Sequence, residues 1–166
     1  MSRLFVIAGI CVCTGLLGRP APGQTVAGVQ VMAARAAAEY LLAQDTGALA
    51  RQPAFLVPLA LTDAHEGGAR TEKRWDAAIW AQVEGGMRGR LAAGARPIRR
   101  GHRATQAFRE LVLTPPDVAG DSAQVDAALC RVPEGGSRCA GNLYTLRLRR
   151  EGEVWKVVSA RVVGVS

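Results

Sequence analysis

The spacing of apolar residues divides the chain into a helical first half and a strand-rich second half. Residues 26–42 are rich in alanine, and their apolar side chains recur at the i, i+3, i+4 and i+7 positions of an amphipathic helix. The apolar stripe consists of Val29, Met32, Ala33, Ala36, Tyr40 and Leu41. The sequence Asp45-Thr46-Gly47 then predicts the end of this helix.

The middle of the chain has a weaker pattern. Residues 54–62 are apolar but contain Pro58, which predicts an edge strand or an irregular extended segment, because proline cannot donate a hydrogen bond to a central ladder. Residues 63–70 are predicted to form a loop. Residues 71–91 return to a helical period, with Thr71 as the predicted N-cap and glycines that weaken the second half.

From Phe108 onward the apolar period changes to two. Strands are predicted over residues 108–113, 122–130, 142–150 and 154–165, and Glu151-Gly152 is typical of a tight hairpin turn. Short connections between consecutive strands favour an antiparallel meander with one polar face.

The first 23 residues have the pattern of a secretory signal peptide. A short start with Arg3 precedes an uncharged apolar run over residues 4–17, and Ala21 and Gly23 are small residues at −3 and −1 of a cut before Gln24. We therefore expect a signal peptide at 1–23, a single domain at 24–166, and a periplasmic or extracellular location, with membrane contact during export. An uncleaved anchor is the alternative.

Composition narrows the function classes. The 166 residues are 49% hydrophobic and 21% charged, with a mean hydropathy of +0.09, which excludes a disordered tail protein. The net charge is +7, but an excess of arginine and alanine is better attributed to a GC-rich genome than to a nucleic-acid surface. No nucleic-acid partner and no cofactor are expected.

Helix, strand, helix and meander together predict an α+β fold, with N-terminal helices packed on a curved antiparallel sheet and a C-terminal four-strand meander. The ending GNLYTLRLRREGEVWKVVSARVVGVS, after the strand entry Gly120-Asp121-Ser122-Ala123, resembles the C-terminal hairpin of the nuclear-transport-factor-2-like (ketosteroid-isomerase-like, cone-shaped) superfamily. The resemblance implies an apolar cone as a candidate pocket. Dimerisation through the open sheet face is common in that superfamily, so a homodimer is one expectation.

Two cysteines remain after the leader, Cys130 and Cys139, near the facing ends of adjacent predicted strands. In an exported protein such a pair is expected to oxidise to a disulfide. A free thiol pair and half a metal site are the alternatives. No metal site is predicted, since zinc needs four ligands and His65 and His102 lie in unrelated segments.

Acid–base chemistry has one candidate pair, Asp63 and His65, which could form a general base and its orienting partner. Asp76 is expected to face water, and Tyr40 and Tyr144 are expected to belong to the core. A solvated loop is the interpretation that we favour for the Asp63–His65 segment, because charged residues are mostly exposed.

The segment from Arg88 to Arg109 holds seven arginines and no acid. A solvated basic face is the usual meaning of such a run. Guanidinium groups also bind anions bidentately, so the alternative is an anion site formed by Arg96, Arg99, Arg100 and Arg103.

These observations favour a small exported, non-catalytic domain that binds a small apolar ligand or an anionic partner. The alternative is an acid–base enzyme of the isomerase, dehydratase or hydrolase type that acts on a small hydrophobic substrate in the cone. A cavity containing a buried Asp or His would favour the enzyme, and a cone filled by Val, Leu and Ala would favour the binding protein.

Overall fold

The computed structural model describes residues 25–45, 49–58, 61–64, 70–98 and 103–165. The predicted signal peptide lies outside this part of the chain. Within it the fold is mixed α+β, which confirms the predicted class. The helices are α1 (Val26–Gln44) and α2 (Ala77–Met87), with a short 3-10 turn at Leu49–Arg51.

The strands of the described residues form a large and a small sheet. They are β1 (Ala54–Pro58), β2 (Leu61–Ala64), β3 (Arg70–Lys73), β4 (Phe108–Leu113), β5 (Asp117–Ala119), β6 (Ser122–Val132), β7 (Ala140–Glu151) and β8 (Val154–Val165). The large sheet has six strands in the order β1-β4-β6-β7-β8, with β5 also paired to β6, and β2 pairs with β3. All pairs are antiparallel except β1 with β4, which the expectation of an antiparallel sheet did not include.

Two predictions about the middle of the chain are wrong. Thr71 does not cap a helix, because it pairs with Asp63 in the β2–β3 ladder. The helix begins at Ala77 instead, and the carboxylate of Asp76 caps it by accepting hydrogen bonds from the backbone N–H groups of Ala78 and Ile79 at 2.8 and 3.1 Å. The predicted loop over residues 63–70 is also shorter, because its two ends belong to β2 and β3.

Helix α1 lies between the large sheet and α2. Ala33, Ala37 and Leu41 are buried against strand residues such as Leu111 and Val125. A neighbouring stripe of α1, Val31 and Ala34, packs against Val83 of α2. Because helix α1 buries small alanines toward both neighbours, its backbone can approach them closely. The space between α1 and the sheet is therefore filled.

The other face of the large sheet has a second apolar cluster at one end. It contains Phe55, Ala104, Phe108 and Val132, and the Phe55 and Phe108 rings meet edge to face with centroids 5.6 Å apart. Successive residues of a strand point to opposite faces, so β6 buries Val125 on the α1 side and Val132 on the opposite side. Strand β8, at the end of the sheet, exposes valines, namely Val154, Val158, Val162, Val163 and Val165.

Candidate functional site

A groove of about 700 Å³ lies between α2, β1 and the segment that follows α2. The helix contributes residues at i, i+3, i+4 and i+7 spacing, which place them on one face. They are Ala81, Glu84, Gly85 and Arg88. The opposite wall is held by the backbone N–H of Ala92, which donates a 2.8 Å hydrogen bond to the carbonyl of Ala54 at the edge of β1.

The groove is apolar at its floor and charged at its rim. Phe55, Leu56 and Leu91 supply half-buried or buried apolar surface, while Arg88 and Arg96 lie exposed at the edge with one acid, Glu84. An apolar floor with a few charged groups is the usual composition of a small-molecule site. The lining thus holds two arginines and one acid, and Arg96 is itself paired with Glu110.

Two of the four arginines of the predicted anion site are described by the structure, and they bind different partners. Arg96 donates a 2.7 Å hydrogen bond to the Glu110 carboxylate, and Arg103 donates to the carbonyl of Gly135 at 3.3 Å. Arg99 and Arg100 lie outside the described residues. The anion site formed by four arginines therefore stays a prediction. Of these four, Arg96 lines the groove, together with Arg88, which was not part of the predicted site.

The seven arginines between Arg88 and Arg109 do not all belong to one solvated basic face, because Arg109 is buried. Its guanidinium donates to the Asp45 carboxylate at 2.7 Å, to the carbonyl of Ala50 at 3.1 Å, and to the carbonyl of Gln52 at 2.8 and 3.1 Å. Asp45 is the C-cap of α1, where a negative charge opposes the helix dipole. Arg109 therefore fixes the end of α1 and the following turn to β4.

A smaller pocket of about 230 Å³ lies at this end of α1. Its polar lining includes Asp45, Arg109, Asn142 and Tyr144, and the Asn142 side-chain amide donates to the Tyr144 hydroxyl at 3.2 Å. Protein oxygens already accept hydrogen bonds from the guanidinium of Arg109, so this side chain stabilises the fold.

The acid–base candidates are not brought together in the described part of the chain. The backbone of Asp63 belongs to β2, but its side chain, His65 and His102 lie outside the described residues. Asp76 is exposed, as expected, and caps α2. Tyr40 and Tyr144 are half-buried against the main core. Among described residues the buried polar or charged ones are Arg109 and Thr114, so no acid is buried there.

Cys130 and Cys139 form a disulfide, with their Cα atoms 5.4 Å apart. Cys130 lies on β6 directly opposite Glu110 of β4, and the two sulfurs and a carboxylate oxygen of Glu110 all lie within 4.8 Å of one another. Sequence reasoning missed Glu110, because only the register between β4 and β6 brings it beside the cysteines.

Gly141 permits this close approach. A Cβ atom at Gly141 would lie 2.3 Å from the carbonyl oxygen of Leu129 and 2.6 Å from the Cβ of Cys130. Both distances are far below van der Waals contact, so a side chain at this position would push β7 away from β6 beside the disulfide.

No helix of the described residues is long and apolar enough to cross a membrane. No protein-family model matches this chain, and a search of curated proteins finds no significant match.

Proposed function

We propose that this protein is an exported, non-catalytic domain that binds a small apolar ligand carrying a negative charge in the groove beside α2. The groove carries the proposal, because it combines a volume of about 700 Å³ with an apolar floor and arginines at its rim. The disulfide supports export, since disulfides persist in oxidising compartments.

The charge of the ligand follows from the rim. The groove lining holds two arginines, Arg88 and Arg96, and one acid, Glu84. A guanidinium fork matches a carboxylate, sulfonate or phosphate. Arg96 donates to Glu110, whose side chain is 13% exposed while that of Arg96 is 45% exposed, so a ligand anion competes with Glu110 for this guanidinium. Leu56 and Leu91, which are half-buried, then offer apolar surface to the remainder of the ligand.

A non-catalytic role is supported by the packing between α1 and the sheet. This space, where the resemblance to the cone-shaped superfamily implies a pocket, is filled by Ala33, Ala37, Val125, Leu111 and Leu146. A proton-transfer enzyme needs an ionisable group tuned by burial or by a partner. The enzyme alternative depends on Asp63 and His65, and no contact in the described residues favours it.

Binding of an apolar sulfonate dye, whose fluorescence rises when it leaves water, tests the proposal. Ala81→Trp fills the helix side of the groove and is expected to raise Kd by about tenfold or more, a loss of about 1.4 kcal/mol. Gln82→Trp is the matched control, because Gln82 is exposed on the same helix but outside the groove lining.

The charge is tested separately with Arg88→Gln. This variant is expected to weaken the sulfonate dye while a neutral apolar dye binds as before. Equal affinities of the Ala81→Trp and Gln82→Trp variants for the sulfonate dye would exclude the groove as its site.

A further inference from the structure

We propose that reduction of the Cys130–Cys139 disulfide creates, together with Glu110, a binding site for a thiophilic divalent cation such as Zn²⁺. Two thiolates and one carboxylate are ligands that zinc prefers, and three protein ligands leave the fourth tetrahedral position to water. The oxidised protein has no thiolate to offer at this position.

The ligand atoms already lie near one another. In a tetrahedral site with ligands about 2.0–2.3 Å from the ion, neighbouring ligand atoms lie about 3.3–3.8 Å apart. The two sulfurs and a carboxylate oxygen of Glu110 lie within 4.8 Å of one another, so after the S–S bond breaks the sulfurs must separate and the Glu110 carboxylate must move closer through side-chain rotations.

The sheet holds two of the ligands in place. Glu110 and Cys130 are directly opposite on β4 and β6, and Cys139 directly precedes β7, the next strand of the sheet. Reduction breaks one cross-link but leaves the ladders between these strands. In the folded, reduced protein, Glu110 and Cys130 are therefore held beside each other before the cation binds.

The chemistry balances with a thiol reductant. Two reductant thiols supply two electrons and two protons, the Cys130–Cys139 bond breaks, and the reductant becomes a disulfide. The cation then displaces the proton from each cysteine thiol, so two protons are released for each ion bound.

Arg96 is the competitor of the metal for Glu110. Its guanidinium donates to the Glu110 carboxylate at 2.7 Å, and the Arg96 side chain is 45% exposed while that of Glu110 is 13% exposed. A cation bound beside Glu110 is repelled by the guanidinium of Arg96, which either stays on one carboxylate oxygen or turns into solvent. Loss of the arginine charge should therefore strengthen metal binding, whereas removal of an ordinary surface arginine should leave it unchanged.

The test is a Co²⁺ titration of the full chain carrying Cys11→Ser and Cys13→Ser, so that Cys130 and Cys139 are its only thiols. The protein is reduced with a phosphine, desalted without oxygen, and first compared with the oxidised form by near-ultraviolet circular dichroism. A thiolate-to-cobalt charge-transfer band is expected in the reduced protein at one ion per chain, and none in the oxidised protein.

Three variants identify the ligands. Glu110→Gln is expected to weaken Co²⁺ binding by about tenfold or more, because even residues that only support a ligand contribute this much. Arg96→Gln is expected to strengthen it. Glu153→Gln, at an exposed acid in the turn between β7 and β8 and outside the cluster, should leave it unchanged. Loss of the fold on reduction, no band in the reduced protein, or equal affinity of the Glu110→Gln variant would each overturn the proposal.

Discussion

A single substitution at Arg109 should strongly lower the free energy of unfolding. Arg109→Met keeps much of the aliphatic stem but removes the guanidinium, which leaves the Asp45 carboxylate and the carbonyls of Ala50 and Gln52 without their donor. Breaking a buried pair by removing one partner costs about 3–5 kcal/mol. The Asp45 side chain is 19% exposed and can be partly rehydrated, so we expect the lower end, about 3 kcal/mol.

Urea unfolding followed by tryptophan fluorescence measures this loss. With a slope of about 2 kcal/mol per molar, a loss of about 3 kcal/mol lowers the midpoint by about 1.5 M. Arg131→Met is the matched control, because Arg131 is exposed and lies directly opposite Arg109 in the β4–β6 ladder. It changes the net charge equally and should alter stability by no more than about 0.5 kcal/mol.

A double-mutant cycle separates the ion pair from the hydrogen bonds to the carbonyls. Asp45→Asn removes the acid at the C-terminus of α1 and should cost less than Arg109→Met, because the helix dipole disfavours that negative charge. In the Arg109→Met background it should relieve an unpaired charge. If Arg109→Met and Arg131→Met shift the midpoint equally, the guanidinium does not hold this region together.

Three further predictions concern the sheet. The disulfide should stabilise the fold by about 2–3 kcal/mol through closure of a short loop, so Cys130→Ser should lower the melting temperature; two free thiols titrating in the denatured, unreduced domain would contradict the pairing. Gly141→Ala should strongly destabilise the fold in urea unfolding, because the new Cβ would clash with the backbone of β6. Gly164→Ala should be tolerated, because its Cβ would lie 3.9 Å from the nearest side-chain atoms. Equal urea midpoints for the two variants would contradict this steric explanation. The pKa of Glu151 is lowered from 4.5, first by the hydrogen bond from Lys156 and then by the positive charge of Lys156. The pair should therefore stabilise the fold at a pH above the ordinary pKa of the carboxyl group, and this stability should be lost as the pH falls through the lowered pKa. Carboxyl chemical shifts should report the lower midpoint, and Lys156→Met should return it toward 4.5.

Local patterns predicted most of the elements because they are set by residues close in sequence. The period of two placed β4 at the observed bounds, and the alanine-rich stripe located α1 to within two residues of its end. The start of α2 was predicted wrongly at Thr71, because the pairing of residues 70–73 with β2 keeps Thr71 out of the helix and leaves Asp76 to cap it. That pairing depends on residues distant along the chain.

The candidate sites were less predictable for the same reason. The groove joins α2 to β1, and the parallel pairing that places β1 beside β4 has no signature in either strand. Glu110 and Arg109 are neighbours in the sequence, but they point to opposite faces of β4. One therefore contacts the disulfide and the other the end of α1, and a count of charges along the chain cannot separate these roles.

The parallel pairing of β1 with β4 also determines when the protein can fold during synthesis. Ala54 pairs with Arg109, and α1 packs against Trp155 of β8, which is synthesised long after α1. The first half of the chain therefore leaves the ribosome before its packing partners exist, and contacts of such long sequence separation form slowly. The C-terminal hairpins are local and can form first, after which α1 and β1 dock on them. Until β8 has been synthesised, the apolar face of α1 stays without this packing partner and is available to chaperones.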